Sequence, residues 1–147
     1  MREGYIKLWR SIWDNPRIRR NHAYLSVWLW ILTHAEHGMV REGVKWRRAR
    51  PDEGRRAQFG GEIISLTPGQ LTCGSDQISV ETGVAPQTVR RYLRWMRDEQ
   101  QIDYQTSNRF SLITVKNWDE YQMAEQTNEQ QEVGEKAPGE QPMSTLT

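Results

Sequence analysis

The sequence predicts an α+β fold, mostly helical: a winged helix-turn-helix with a small antiparallel β-wing, followed by a disordered acidic tail. Three observations carry that prediction. Between Gly74 and Trp118 stand, in order, a short helix candidate, a glycine-containing turn, an arginine-rich helix and two β-prone runs. Ahead of this block lies a helix that is apolar almost all round, and behind it the apolar residues run out.

The ordered part begins at Tyr5–Trp13, where Ile6, Trp9 and Trp13 are spaced to dock one helical or extended face, and Asn15-Pro16 breaks it. Asn21 is suited to cap a helix from His22 to Glu36, because its side-chain oxygen can take up an otherwise unpaired first-turn N–H. The run YLSVWLWILTHA has no polar face to give to water, so this helix belongs at the centre. Trp28 and Trp30 on it read as core rather than as a platform for bases.

Residues 38–61 read as a long basic loop, interrupted by Pro and Gly, with Lys45, Arg47, Arg48, Arg50, Arg55 and Arg56 around Trp46. A loop of this length is uncommon unless it has a function or is disordered. Arg47 and Arg48 are therefore candidate DNA-contacting residues, with Trp46 either anchoring the loop or stacking on a base. Glu62–Leu66 is a strand candidate expected to pair with the wing, Pro68-Gly69 a turn, and Gln70–Thr72 a second extended piece.

The run Pro86–Asp98 carries the functional argument. At 100° per residue, Val89, Tyr92, Leu93 and Met96 fall within one arc of about 100°, while Gln87, Arg90, Arg91 and Arg94 gather opposite. One arc is core and the other presents guanidinium groups. Ser75 is a candidate N-cap for the helix before it, and Pro86 suits a first helical turn, where a missing N–H leaves nothing unpaired. Helix, turn and helix at this spacing match a motif whose second helix enters the major groove. Ile102–Thr106 and Phe110–Val115 are β-prone, and the turn between them, Ser107-Asn108-Arg109, puts an arginine at the tip of the wing. Gln87, Thr88, Arg90, Arg91, Arg94 and Arg109 are the candidate DNA-binding residues. Trp95, at the margin of the two arcs, packs under the wing or against Tyr5–Trp13, or else anchors a partner.

Charge is divided along the chain. Residues 1–118 hold 19 lysines and arginines against 12 acids, whereas residues 119–147 hold one against seven. A basic folded part supplies the sequence-independent attraction to phosphate on which nucleic-acid binding rests. Residues 1–121 form the expected domain and 122–147 the disordered acidic tail or linker, too poor in apolar side chains to repay folding entropy.

Other chemistries find no support. The single Cys73 excludes an internal disulfide framework and has no base beside it. His34 and His37 lack zinc-site spacing, with Cys73 and His22 their only soft companions. No catalytic constellation, cofactor site, signal peptide or apolar span is present, so the expectation is a cytoplasmic, nucleoid-associated protein that is not an enzyme and meets no membrane.

With these residues placed, a family resemblance becomes usable. GYIKLWRSIWDNP, TPGQLTCG, QISVETGVAPQTVRRYLRWMRDEQQI and YQTSNRFSLITVKNWDEYQ resemble the N-terminal domain of phage and prophage replication initiators, the DnaD-like replisome organisers. The similarity spans roughly residues 4–122, and TVKNWDEYQ is its most specific piece. The resemblance implies binding of double-stranded origin DNA, self-association, and contact with a helicase or helicase loader. The second, helical domain that many such proteins use for helicase or single-strand contacts is not represented in these residues, which limits the expectation to DNA binding. A transcription regulator on the same fold, or a protein-protein assembly scaffold in which the arginines meet acidic partners, are the alternatives.

Overall fold

The computed structural model describes residues 4–59, 61–107 and 110–123. The chain opens with an extended stretch and a 3₁₀ turn at Arg10–Asp14, followed by α1 (Pro16–Arg20) and α2 (His22–His34). Two hairpins come next: β1 (Met39–Glu42) with β2 (Lys45–Arg48), and β3 (Arg56–Phe59) with β4 (Glu62–Ser65). Then β5 (Gln70–Cys73), α3 (Ser75–Thr82), α4 (Pro86–Asp98), β6 (Ile102–Ser107) and β7 (Phe110–Val115) lead to a final π-helical turn at Asp119–Met123.

This corrects the expected fold class. Seven strands in three antiparallel sheets share the described residues with the helices, so the chain is an α+β protein and not a mostly helical winged helix with one small wing. The largest error lies in residues 38–61, expected as a basic loop and found as β1–β2, a 3₁₀ turn at Pro51–Glu53, and β3. A second correction concerns pairing. Glu62–Ser65 joins β3 and not the hairpin after α4; it is β5 that pairs with β7, in the order β5-β7-β6.

The local chemistry explains why each central element forms. Asn21 caps α2 as expected, its Oδ1 accepting the Tyr24 N–H at 3.1 Å, and Asn15 caps α1 through the Arg17 N–H. The helix stops at His34, before the expected Glu36, because the Glu36 backbone turns to the sheet: its N–H donates to the Gln70 carbonyl and its carbonyl accepts from Gly69. The N-cap of α3 is Gly74 and not Ser75, whose hydroxyl is used elsewhere.

The core lies between α2, α4 and one face of the three-stranded sheet. Tyr24, Val27 and Ile31 of α2 are fully buried, as are Val89, Leu93 and Met96 of α4. In the sheet the period-2 alternation of strands turns Leu71, Cys73, Ile113, Val115 and Ile102 inward together. The fold runs past the expected boundary at residue 121, since Gln122 and Met123 are buried. The Gln122 carboxamide pairs with the Lys7 backbone in both directions, accepting from its N–H at 2.8 Å and donating to its carbonyl at 2.9 Å. The expected disordered tail, from residue 124 on, lies outside the described residues.

Gly69 is the point where these pieces meet. Its φ of +88° is a left-handed conformation, and a Cβ there would stand 2.9 Å from the Trp118 Cβ. Gly69→Ala should therefore cost about 2–4 kcal/mol through backbone strain and repacking. Urea unfolding measures it; an unchanged midpoint would mean that Trp118 does not sit against this turn.

Candidate nucleic-acid interface

The exposed side of α4 is the most strongly charged feature with a rigid support. Val89, Tyr92, Leu93 and Met96 are buried, as the arc over Pro86–Asp98 requires, and Gln87, Arg90, Arg91 and Arg94 are exposed on the other side. Burying a large apolar side chain is worth about 1.5–3 kcal/mol. Four of them on one stripe make any roll of α4 that hides the arginines far too costly. Thr88 lies half-buried at the edge of the exposed face.

The arginines on this face differ in their partners. Arg90 Nη1 donates to the Ser75 Oγ at the start of α3, 3.0 Å away. Arg91 lies over the edge of the Tyr92 and Trp95 rings, 5.9 and 5.6 Å from their centroids. Arg97, one turn beyond Arg94, pairs with the adjacent Asp98 at 3.5 Å. No acidic side chain among the described residues pairs with Arg90, Arg91 or Arg94. At the other end, the N-cap of α4 is Ala85, which has no side-chain acceptor for the first-turn amides, so the N–H groups of Gln87 and Thr88 point out uncapped.

Trp95 is placed by contacts that its arc position did not reveal. Its ring lies beside Tyr24 and Tyr92. The Arg17 guanidinium covers it, 3.9 Å from the ring centroid, while also holding Glu99. Tyr24, driven far above its ordinary pKa chiefly by burial, donates its hydroxyl proton to Gln101, and Tyr92 Oη accepts from Asn21. Arg17 and Asn21 were not legible as α4 supports, because both are distant in sequence and neither belongs to a motif.

The second group of candidates stands apart from this face. Arg47 is engaged within its own hairpin region: Glu53 takes a bidentate pair at 2.9 Å, and Glu42 approaches Nε at 3.3 Å without hydrogen-bond alignment. This double pairing raises the Arg47 pKa further. Arg48 reaches Asp119 at 3.5 Å and the Met123 sulfur at 3.8 Å. No hydrogen bond or ion pair joins either residue to α4. Arg109 lies outside the described residues.

Cys73 and His34 serve packing. Cys73 is buried, and desolvation alone pushes its thiol up to about 12, far from nucleophilic use. His34 stacks on Trp30 at 3.8 Å and bonds its carbonyl, while Trp30 Nε1 donates to Glu81. No three His, Cys, Asp or Glu side chains among the described residues converge as metal ligands. No helix among them is long and apolar enough to cross a membrane.

The motifs that carry the family resemblance meet in space. Trp118 of NWDEYQ closes over Gly69 of TPGQ and donates its indole N–H to the His37 carbonyl at 2.8 Å. Tyr121 accepts at its carbonyl from Trp9, and Gln122 brackets Lys7, both in the opening GYIKLW. GYIKLW, TPGQ and NWDEYQ thus act as structural fastenings, apart from the exposed face of α4. No protein-family model matches this chain, and no curated protein or solved structure matches it either.

The Glu53 carboxylate offers a check on the Arg47 pairing. The Arg47 hydrogen bonds first, and the Arg50 backbone N–H second, hold its pKa down to about 2 from the ordinary 4.5. A lowered folded-state value means that its contribution to stability is complete above pH 4.5 and is lost as pH falls towards 2. An NMR titration of the Glu53 side chain should find its midpoint near 2, and Arg47→Ala should return it towards 4.5. A wild-type midpoint already at 4.5 would show the pair to be unformed in solution.

Proposed function

We propose that this protein binds double-stranded DNA through the exposed face of α4 and acts in phage or prophage replication initiation, in the cytoplasm of the host cell. One observation carries the DNA reading. Gln87, Arg90, Arg91 and Arg94 stand together on a helix whose opposite side is locked into the core. A helix of 13 residues presented in this way can enter the major groove, which is wide enough to admit one. Arginine suits both available targets there, since its planar fork grips phosphate or the O6/N7 edge of guanine with two parallel hydrogen bonds.

The uncapped amides at Gln87 and Thr88 support the same reading. They lie at the positive end of the helix dipole, where a phosphate oxygen replaces the missing cap. The hairpin β6–β7 follows α4 directly, and β6 packs beside that helix. Arg47, already bound to two carboxylates, contributes less to DNA than Arg90 and Arg94 in this reading. The replication role rests on the resemblance of the quoted motifs to replication initiators, and self-association and contact with a helicase or its loader come with it.

Fluorescence anisotropy with short duplexes tests the assignment. Affinity should fall steeply with salt, and Arg90→Ala with Arg94→Ala should weaken binding by tenfold or more and flatten the salt slope by about two contacts. Unchanged affinity and slope in the double variant would sink the proposed face. Selection of bound duplexes from a random pool then separates the processes: palindromic sites favour a transcription regulator, and direct repeats favour origin binding.

A further inference from the structure

The four polar side chains on the exposed face of α4 differ in place and in freedom. At about 100° per residue, Gln87 and Arg94 lie on one line of the helix, only about 20° apart in projection and two turns apart along the axis. Arg90 is turned about 60° to one side of Gln87 and Arg91 about 40° to the other. Gln87 stands opposite the buried stripe of Val89, Tyr92, Leu93 and Met96, so the line from Gln87 to Arg94 is the crest of the face.

Contacts widen this division. Arg90 donates to the Ser75 Oγ at 3.0 Å, which draws its guanidinium to the α3 side. Arg91 leans the other way, over the Tyr92 and Trp95 rings, and lies 5.6 Å from the Trp95 centroid. On that side Arg17 of α1 covers the same Trp95 ring. Gln87 and Arg94 are exposed, and among the described residues no hydrogen bond, ion pair or ring contact holds either side chain.

The spacing along the crest matches that of stacked base pairs. Seven residues at 1.5 Å each carry Arg94 about 10.5 Å beyond Gln87. Base pairs repeat about every 3.4 Å, and a helix in the major groove is inclined to the duplex axis, so the two side chains fall about two to three base pairs apart. Their chemistry differs. A glutamine carboxamide sets one acceptor beside one donor, the complement of adenine N6 and N7, whereas the arginine fork sets two donors against guanine O6 and N7. To either side of the crest, Arg90 and Arg91 are turned towards the two rows of phosphates that bound a groove about 12 Å wide.

We infer that Gln87 reads an adenine and Arg94 a guanine two or three base pairs away, while Arg90 and Arg91 hold phosphates of the two strands on either side. This rests on the duplex reading above and adds to it the sequence that the face selects. A side chain free on the crest turns to a base edge without breaking a contact, whereas Arg90 would give up Ser75 and Arg91 its aromatic rings. Arg94 carries its charge between both rows of phosphates, so it enters the salt dependence as well as the base preference.

Selection of duplexes from a random pool with the full chain, followed by sequencing, tests the inference. Wild type should enrich an adenine and a guanine at this spacing. Gln87→Ala should lower the preference at the adenine position by about tenfold and keep the guanine, and Arg94→Ala should do the reverse. Gln87→Glu should change the preferred base there from adenine to cytosine, because a carboxylate accepts from cytosine N4; a structural role for Gln87 would not produce that change. Arg91→Ala should weaken every duplex alike and reduce the salt slope by about one contact, with the same sites enriched. Each variant replaces an exposed side chain, and an unchanged urea midpoint separates loss of reading from loss of fold. An adenine preference that survives Gln87→Ala, no change of base in Gln87→Glu, or an altered site in Arg91→Ala would each overturn the assignment. Salt-dependent duplex binding that weakens in the Arg90→Ala, Arg94→Ala variant yet selects no base overturns it and leaves the duplex reading standing, whereas absence of duplex binding by wild type removes both.

Discussion

The packing of Tyr24 against Tyr92 and Trp95 is the contact on which the rest depends, because it sets the roll of α4 against the central helix. Tyr24 is fully buried, its ring meets Tyr92 edge-on at 5.3 Å, and its hydroxyl is tied to Gln101 just beyond α4. Aromatic pairs of this geometry add about 0.5–1.5 kcal/mol beyond the area they bury. More important than the energy is the direction. Asn21 holds the Tyr92 hydroxyl from one side and Arg17 lies on Trp95 from the other, so α4 is gripped along its length by residues of α1 and α2. A helix held so by oriented polar contacts presents one face, and that face is the one with Arg90, Arg91 and Arg94.

How much of this was legible in the sequence depended on burial. The α4 stripe has a buried side and a charged side, so its period of 3.6 stands out, and the expected boundaries Pro86–Asp98 agree with the helix found. The cap at Asn21 was readable for a similar reason, being a local interaction. Strands β1 to β4 gave no such signal. Each has four residues and none has a fully buried position; only β3 alternates, between exposed and half-buried, which is too short and too wet a row to stand out. Arg41, Arg47, Arg48 and Arg56, which read as part of a solvated loop, in fact lie in strands of two small hairpins, which is why the fold class was judged too helical. Long-range contacts were equally silent: nothing in GYIKLW announces that Gln122 will serve as a strand-like partner for Lys7.

Of the quoted motifs, GYIKLW, TPGQ and NWDEYQ act mechanically. Gly69 allows Trp118 to close on the turn before β5, and its own carbonyl accepts from Val115 at the end of β7. This ties one end of the three-stranded sheet to the segment that follows α2. In these segments Trp118 faces Gly69, and Gln122 faces Lys7. The exposed arginines of α4 sit where substitution costs the fold little, so the scaffold and the chemistry of its exposed face carry separate information.

Electrostatics then divides the arginines into two populations. Arg17, Arg47, Arg48 and Arg55 each lie against a carboxylate, which lowers the positive potential around them. Exposed pairs of this kind contribute little stability, about 0–1 kcal/mol, and their main effect is to cancel field. On α4 the cancellation is confined to the C-terminal end, where Asp98 meets Arg97. The uncompensated charge therefore lies over the first two-thirds of the helix, on the same end as the uncapped amides of Gln87 and Thr88. With screening lengths near 8–10 Å at ordinary ionic strength, an approaching polyanion feels this local excess and not the average charge of the chain. In the proposed complex a duplex would therefore meet the N-terminal half of α4 first, the half from which a helix lying in the major groove reads base edges.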